Sequence, residues 1–142
     1  MRVALIYPGI GGKGFDSIGQ GMDSGWISHG LAILAGCAQE AGHEVTLIDL
    51  RALRDWDHFR AEVVSRRPQV AAVSMMSVDY NPGVRCLEII RQVNPRIVTI
   101  VGGAHPTIMP NELIDHPCID HIFLGEAEET FPEALNQLER GV

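Results

Sequence analysis

Three things are scarce in this 142-residue chain, and each scarcity removes a class of function. Basic residues come first: eleven Lys and Arg stand against eighteen Asp and Glu, the formal charge is −7, and no basic run exceeds the pair Arg66-Arg67. A nucleic-acid groove needs a positive footprint, so DNA and RNA are not expected partners. Cysteine is next. Cys37, Cys86 and Cys118 are far apart, odd in number and set in or beside apolar stretches, with no CxxC among them. They read as small buried hydrophobes in a reducing compartment, not as a disulfide framework or cluster ligands. Long apolar runs are also missing: none nears the ~20 residues that cross a bilayer, and the opening MRVALIYPG lacks the h-region of a signal peptide. A cytoplasmic protein without membrane partners is expected. What remains, 46% hydrophobic and 20% charged, suits one globular domain over 1–142 with one ordinary core.

The apolar residues fall into five short Val- and Ile-rich runs: VALIY (3–7), HEVTLIDL (43–50), QVAAVSMM (69–76), RIVTIVGG (96–103) and CIDHIFLG (118–125). Three are nearly continuous rather than alternating, which predicts strands covered on both faces and hence a parallel sheet. Helical patterns fill the gaps. The segment 28–41 carries Leu31, Leu34, Ala35, Ala38 and Ala41 on one side and stops at Gly42. A second over 57–66 carries Phe59 and Val63. A third takes Asn81 as N-cap and Pro82 as its first residue, buries Val84, Leu87 and Ile90 or Val93, and stops at Asn94-Pro95. The last begins at Thr130, with Glu133 placed for a capping box, and buries Phe131, Leu135 and Leu138. Between them, 108–116 has room for at most two turns. The alternation is that of a three-layer open α/β domain. Seven glycines crowd residues 8–27, a loop long enough to be either mobile or shaped by a ligand. It follows the first strand, at the edge of a parallel sheet where ligands bind.

Several motifs fail on physical grounds. Gly9, Gly11 and Gly14 spell GxGxxG after the first strand, but FDSIGQG cannot open the helix that a dinucleotide's pyrophosphate requires, and Asp49 is too distant for a ribose. Lys13 is followed by Gly14, so there is no Walker A loop. His29, His43, His58, His105, His116 and His121 make no HxH or HxxxH pair, and no resident metal is expected. His105 is different: it lies just past the fourth strand, with Pro106 biasing its backbone toward extended geometry, and is either a structural anchor or a ligand contact. Glu126, Glu128 and Glu129 follow the fifth strand; the last two read as complements of a helix dipole, and Glu126 stays open as a rim residue. No Ser-His-Asp or Cys-His set is legible, so no catalytic residue is assigned.

The segments GGAHPT (102–107) and LGEAEETFPEAL (124–135), with the serine-bearing SMMS (74–77), give the chain a specific resemblance. It resembles the cobalamin (B12)-binding domain at the N-terminus of B12-dependent radical S-adenosylmethionine (SAM) enzymes, over nearly its whole length. Pro8-Gly9, Gly30-Leu31-Ala32 and Asp49 also fall where the family keeps similar residues. The resemblance implies a flavodoxin-like sheet in order 2-1-3-4-5, with cobalamin over its carboxyl-end rim and the nucleotide tail beside the sheet. Ser74 and Ser77 would contact the tail region, Gly102 and Gly103 would let it approach the backbone, and His105 and Thr107 would shape the rim. Gly9, Gly125 and Glu126 complete the implied cofactor site. The DxHxxG motif with which other B12 domains supply a histidine to cobalt is absent, since residues 7–14 read YPGIGGKG. The three cysteines cannot form the CxxxCxxC triad of a radical SAM domain, so the SAM and 4Fe-4S sites are expected in a separate C-terminal domain of a longer enzyme, and this chain alone is expected to bind rather than catalyse. The alternative is a degenerate domain of the same fold that binds no cofactor. Flavin is a weaker competitor, because residues 8–14 offer no Ser or Thr for its phosphate.

Overall fold

Five strands form one parallel sheet: β1 (Arg2–Tyr7), β2 (Glu44–Asp49), β3 (Val70–Ser74), β4 (Val98–Gly102) and β5 (His121–Ile122). They are ordered β2-β1-β3-β4-β5, the flavodoxin-like arrangement expected from the sequence. The computed structural model describes residues 1–18 and 28–141; the remainder of the glycine-rich 8–27 stretch lies outside the described residues. Helices α1 (His29–Glu40), α2 (Trp56–Arg66), α3 (Tyr80–Val93), α4 (Ala104–Ile108) and α5 (Thr130–Glu139) complete the fold.

The continuous apolar runs are the central strands. Val3 to Ile6 of β1 and Val70 to Val73 of β3 are buried on both faces. Alternate side chains feed two cores. Ala4, Ile6, Ala71, Val73 and Val101 pack with Phe59 and Val63 of α2 and with Cys86, Leu87 and Ile90 of α3. Val3, Leu5, Val70, Ala72 and Ile100 face Leu31 and Ala38 of α1 and Phe131 and Leu135 of α5. Helix ends follow local chemistry. Ser28 caps α1 by accepting from Leu31 N, α1 ends before Gly42 at φ +90°, and Arg67 stops α2 in the left-handed region just before Pro68.

Four local expectations are corrected. Asn81 does not cap α3: a 3₁₀ turn over Ser77–Asp79 runs straight into a helix that starts at Tyr80, and the Asp79 carboxylate is engaged by Gly11 instead of capping. Thr130 makes no capping box, since it is already helical and the preceding turn is closed by Phe131 N donating to Ala127 O. His105 and Pro106 are helical rather than extended: Pro106 is the third residue of α4, where no N–H is needed, and His105 N donates to Met75 O. Finally, β5 is only two residues long. Its approach is tied to β4 by side chains, with Asp120 accepting from Thr99 N and Thr99 Oγ1 donating to Cys118 O. Of the cysteines only Cys86 is fully buried, and burial pushes its thiol well above the ordinary range; Cys37 and Cys118 are partly exposed, and all three are free.

Candidate functional site

The carboxyl ends of β3 and β4 open into a cavity of about 460 Å³ on the α1/α5 side of the sheet. Its floor is apolar, made by Ala72 of β3, Ile100 of β4 and Phe123 beyond β5. Leu31 and Leu34 of α1 form one wall and Ala127 and Phe131 another. Phe131 meets Phe123 edge to face with ring centroids 5.9 Å apart, which fixes that wall. Small residues create the space. Ala72 leaves room above a central strand, and Gly30, in the first turn of α1, has no described residue within 4 Å of where its Cβ would stand.

Six sequence-predicted residues meet here: Ser74, Gly102, Gly103, Thr107, Gly125 and Glu126 all line the cavity. Glu128, read from the sequence as a dipole complement, lines it as well. Thr107 organises the mouth. Its hydroxyl donates to Gly103 O at 2.8 Å and accepts from Gly125 N at 2.9 Å, joining the turn after β4 to the loop before α5. The two glycines differ in role. Gly103 sits at φ +102° with its missing Cβ 3.0 Å from both Met75 N and Met75 O, so the protein's own backbone requires it. A Cβ on Gly102 would make only ordinary contact with Phe123.

Ser77, His105 and Gly9 do not line the cavity. His105 is an anchor within α4: its ring lies against Tyr80 with centroids 5.0 Å apart and planes tilted by 57°, Nδ1 lies 3.0 Å from Ser77 Oγ, and Nε2 lies 3.0 Å from Glu112 Oε2. Gly9 packs against the Tyr7 ring, where a Cβ would collide. The GxGxxG stretch is likewise occupied by the protein itself. Gly11 N donates to Asp79 Oδ1, and residues 15–18 form no helix but run along the turn that follows β2, with Asp16 N donating to Leu53 O and Ser17 N to Arg51 O. Asp49, the would-be ribose acid, holds the Arg51 guanidinium at 2.7 Å, and Arg51 in turn lies 4.7 Å over the Tyr7 ring. Buried Asp79 has its carboxyl pushed up by desolvation, against the Gly11 N–H and the Arg51 charge, which pull it down. Sequence reasoning missed Asp79; the signal was an acid in the loop directly after β3, within reach of a glycine-rich loop after β1.

The description "B12 binding domain" matches residues 22–135. The chain belongs to the B12-binding domain family. It is 30% identical over 145 residues to the anaerobic magnesium-protoporphyrin IX monomethyl ester cyclase of Rubrivivax gelatinosus, covering 99% of this chain and 25% of that protein. It is also 31% identical over 114 residues to the hopanoid C-3 methylase of Methylococcus capsulatus, covering 78% of this chain and 22% of that one. The domain thus spans about a quarter of the curated relatives' length. Among solved structures it superimposes on the cobalamin-dependent S-adenosylmethionine radical enzyme OxsB, bound to aqua-cobalamin and S-adenosylmethionine, with a TM-score of 0.74 at 15% identity, over 99% of this chain and 19% of that one. A pilus assembly protein (cpaE) of Burkholderia thailandensis shares the fold at TM-score 0.60 and 12% identity, so the architecture by itself does not identify a ligand. No helix among the described residues is long and apolar enough to cross a membrane.

Proposed function

We propose that this domain binds cobalamin, with the nucleotide tail in the α1/α5 cavity and the corrin ring over the adjoining rim. The observation that carries the reading is the cavity itself: a void of about 460 Å³, within the usual range of small-molecule sites, left by small residues in an otherwise filled core. The lining suits the flat apolar base that ends a nucleotide tail, with a few polar points toward the mouth. Ala72, Ile100 and Phe123 offer a flat apolar floor, while the Ser74 hydroxyl and the turn at Gly102 and Gly103 supply polar groups at the mouth. Bound cobalamin would supply organocobalt chemistry; the chain's own residues bind and orient it and keep water from the tail. The loop after β1 brings no histidine toward cobalt, because residues 8–27 contain none.

The catalytic step belongs to a separate domain of a longer polypeptide. What supports this is that the curated relatives are about four times as long as this domain. A radical SAM domain carrying SAM and a 4Fe-4S cluster is the partner this reading assigns. Titration with hydroxocobalamin, followed by its absorption bands and by co-elution, tests the binding. Gly30→Leu should put a side chain into the cavity and weaken binding about a hundredfold or more, without loss of fold by circular dichroism. Val64→Ser, on an exposed position of α2 on the opposite side of the sheet, should leave it unchanged. If the unaltered chain forms no complex at high micromolar cofactor, the domain is the degenerate, non-binding form.

A further inference from the structure

His105 stands between two polar side chains that its neutral ring can serve only in opposite senses. Nδ1 is 3.0 Å from Ser77 Oγ on one side, and Nε2 is 3.0 Å from Glu112 Oε2 on the other. The ring has little freedom to turn: it is buried, packed on Tyr80 and carried by a backbone whose N–H is held by Met75 O. Nε2 is fully buried and has no hydrogen-bond partner of good alignment, so the Glu112 carboxylate, close in distance although off the line of the N–H, is the group that acts on it. An ionised carboxylate can only accept. It therefore favours the proton on Nε2, and Nδ1 is left as a lone pair. The Ser77 hydroxyl must spend its single proton on that lone pair, which leaves Ser77 Oγ with lone pairs alone.

We propose that His105 and Glu112 set the hydrogen-bond polarity of Ser77, making it an acceptor-only group on the rim that selects ligand donors, such as the primary amides of the corrin periphery, over phosphate oxygens. Ser77 is exposed at the start of its 3₁₀ turn, so a ligand over the rim can reach it. His105 and Glu112 are positioning residues: they act through Ser77 and do not line the cavity. The ligand half of this inference rests on the cobalamin reading; the polarity half does not.

The test has two arms. Long-range ¹H–¹⁵N spectra of the imidazole at about pH 8, above the ordinary histidine range, should show the proton on Nε2; an Nδ1–H tautomer would overturn the proposal. In hydroxocobalamin titrations, Ser77→Ala should weaken binding roughly three- to tenfold, the worth of one neutral hydrogen bond. Glu112→Ala, at a half-exposed position that the fold tolerates, should weaken it similarly, Glu112→Gln should restore it by keeping an acceptor oxygen, and the Ser77→Ala/Glu112→Ala pair should be no weaker than Ser77→Ala alone. Additive losses, or no rescue by glutamine, would sink the coupling. Absence of any complex with the unaltered chain would defeat the cobalamin reading and ligand selection with it, while the tautomer still decides the polarity of Ser77.

Discussion

The two faces of one sheet have been filled to different extents. Toward α2 and α3, alternate residues of β1, β3 and β4 meet large side chains across the middle of the sheet: Phe59, Met75, Leu87, Ile89 and Ile90 are all fully buried, and the recess of about 660 Å³ on that side lies at the opposite, amino end of the strands, beside Val63, Val93 and Ile97. Toward α1 and α5, β3 and β4 offer Ala72 and Ile100 to a helix with a glycine in its first turn, and a cavity of about 460 Å³ remains. A void in a core forfeits dispersion contacts and destabilises the fold unless something occupies it. Both faces carry a buried core, and the α1/α5 face gives up part of its packing at the carboxyl ends of β3 and β4 for a site.

Changes on the closed face should cost most. Phe59→Ala would open a void at a fully buried position in the middle of that face, and should lower the unfolding free energy by about 3–5 kcal/mol, read as a drop in denaturant midpoint at unchanged slope. A loss below about 1 kcal/mol would mean that the closed face is not close-packed. At the mouth of the open face, Gly103→Ala should cost about 1–3 kcal/mol, since a Cβ would meet the Met75 backbone at a φ that suits glycine. Because that loss arises from the protein's own packing, cofactor affinity per folded molecule should change much less than stability, and a stable Gly103→Ala chain would show that the turn is held by something else.

The smallest effect belongs to Asp79, which closes the rim between the loops that follow β1 and β3. Its folded carboxyl is raised, chiefly by burial, so between the ordinary aspartate range and the raised value the folded state binds more protons than the unfolded one. Stability from this group is then full at the acid end and falls as pH rises through that window. Asp79→Asn keeps an oxygen for the Gly11 N–H and removes the buried charge, so it should flatten this decline and leave neutral-pH stability equal or slightly higher, measured by thermal melts across pH 4 to 7. Asp120 is the contrast. Burial opposes its ionisation, but the Thr99 N–H, the Arg91 guanidinium and the Thr99 hydroxyl outweigh it and hold its carboxyl below the usual range. A steeper acid-side decline in Asp79→Asn would mean that the Asp79 charge is stabilising after all.

Strand centres and the parallel sheet were legible because apolar periodicity is a local consequence of being covered on both faces, whereas the strand order was supplied by the family resemblance. Helix starts at Tyr80 and Thr130 were not, because the polar groups that would cap them were drawn off by partners distant in sequence or replaced by a backbone turn. The site was half legible. GGAHPT and LGEAEET marked its two polar loops, and the structure brings Gly103, Thr107 and Gly125 together by one hydroxyl. The apolar floor was invisible, since Ala72 and Ile100 in a buried strand look the same whether they face a helix or a void. His105 illustrates the limit: its position beside the rim was readable, but its service to Ser77 and Glu112 depends on a short helix that the following proline argued against.

Thr107 has a kinetic consequence. Its hydroxyl holds the loop after β4 and the loop before α5 by one hydrogen bond each, so neither loop can draw back from the cavity without giving up a bond to the other. The two sides of the mouth part only when the bond between them breaks. Exchange of the Gly125 amide proton then reports how often they part.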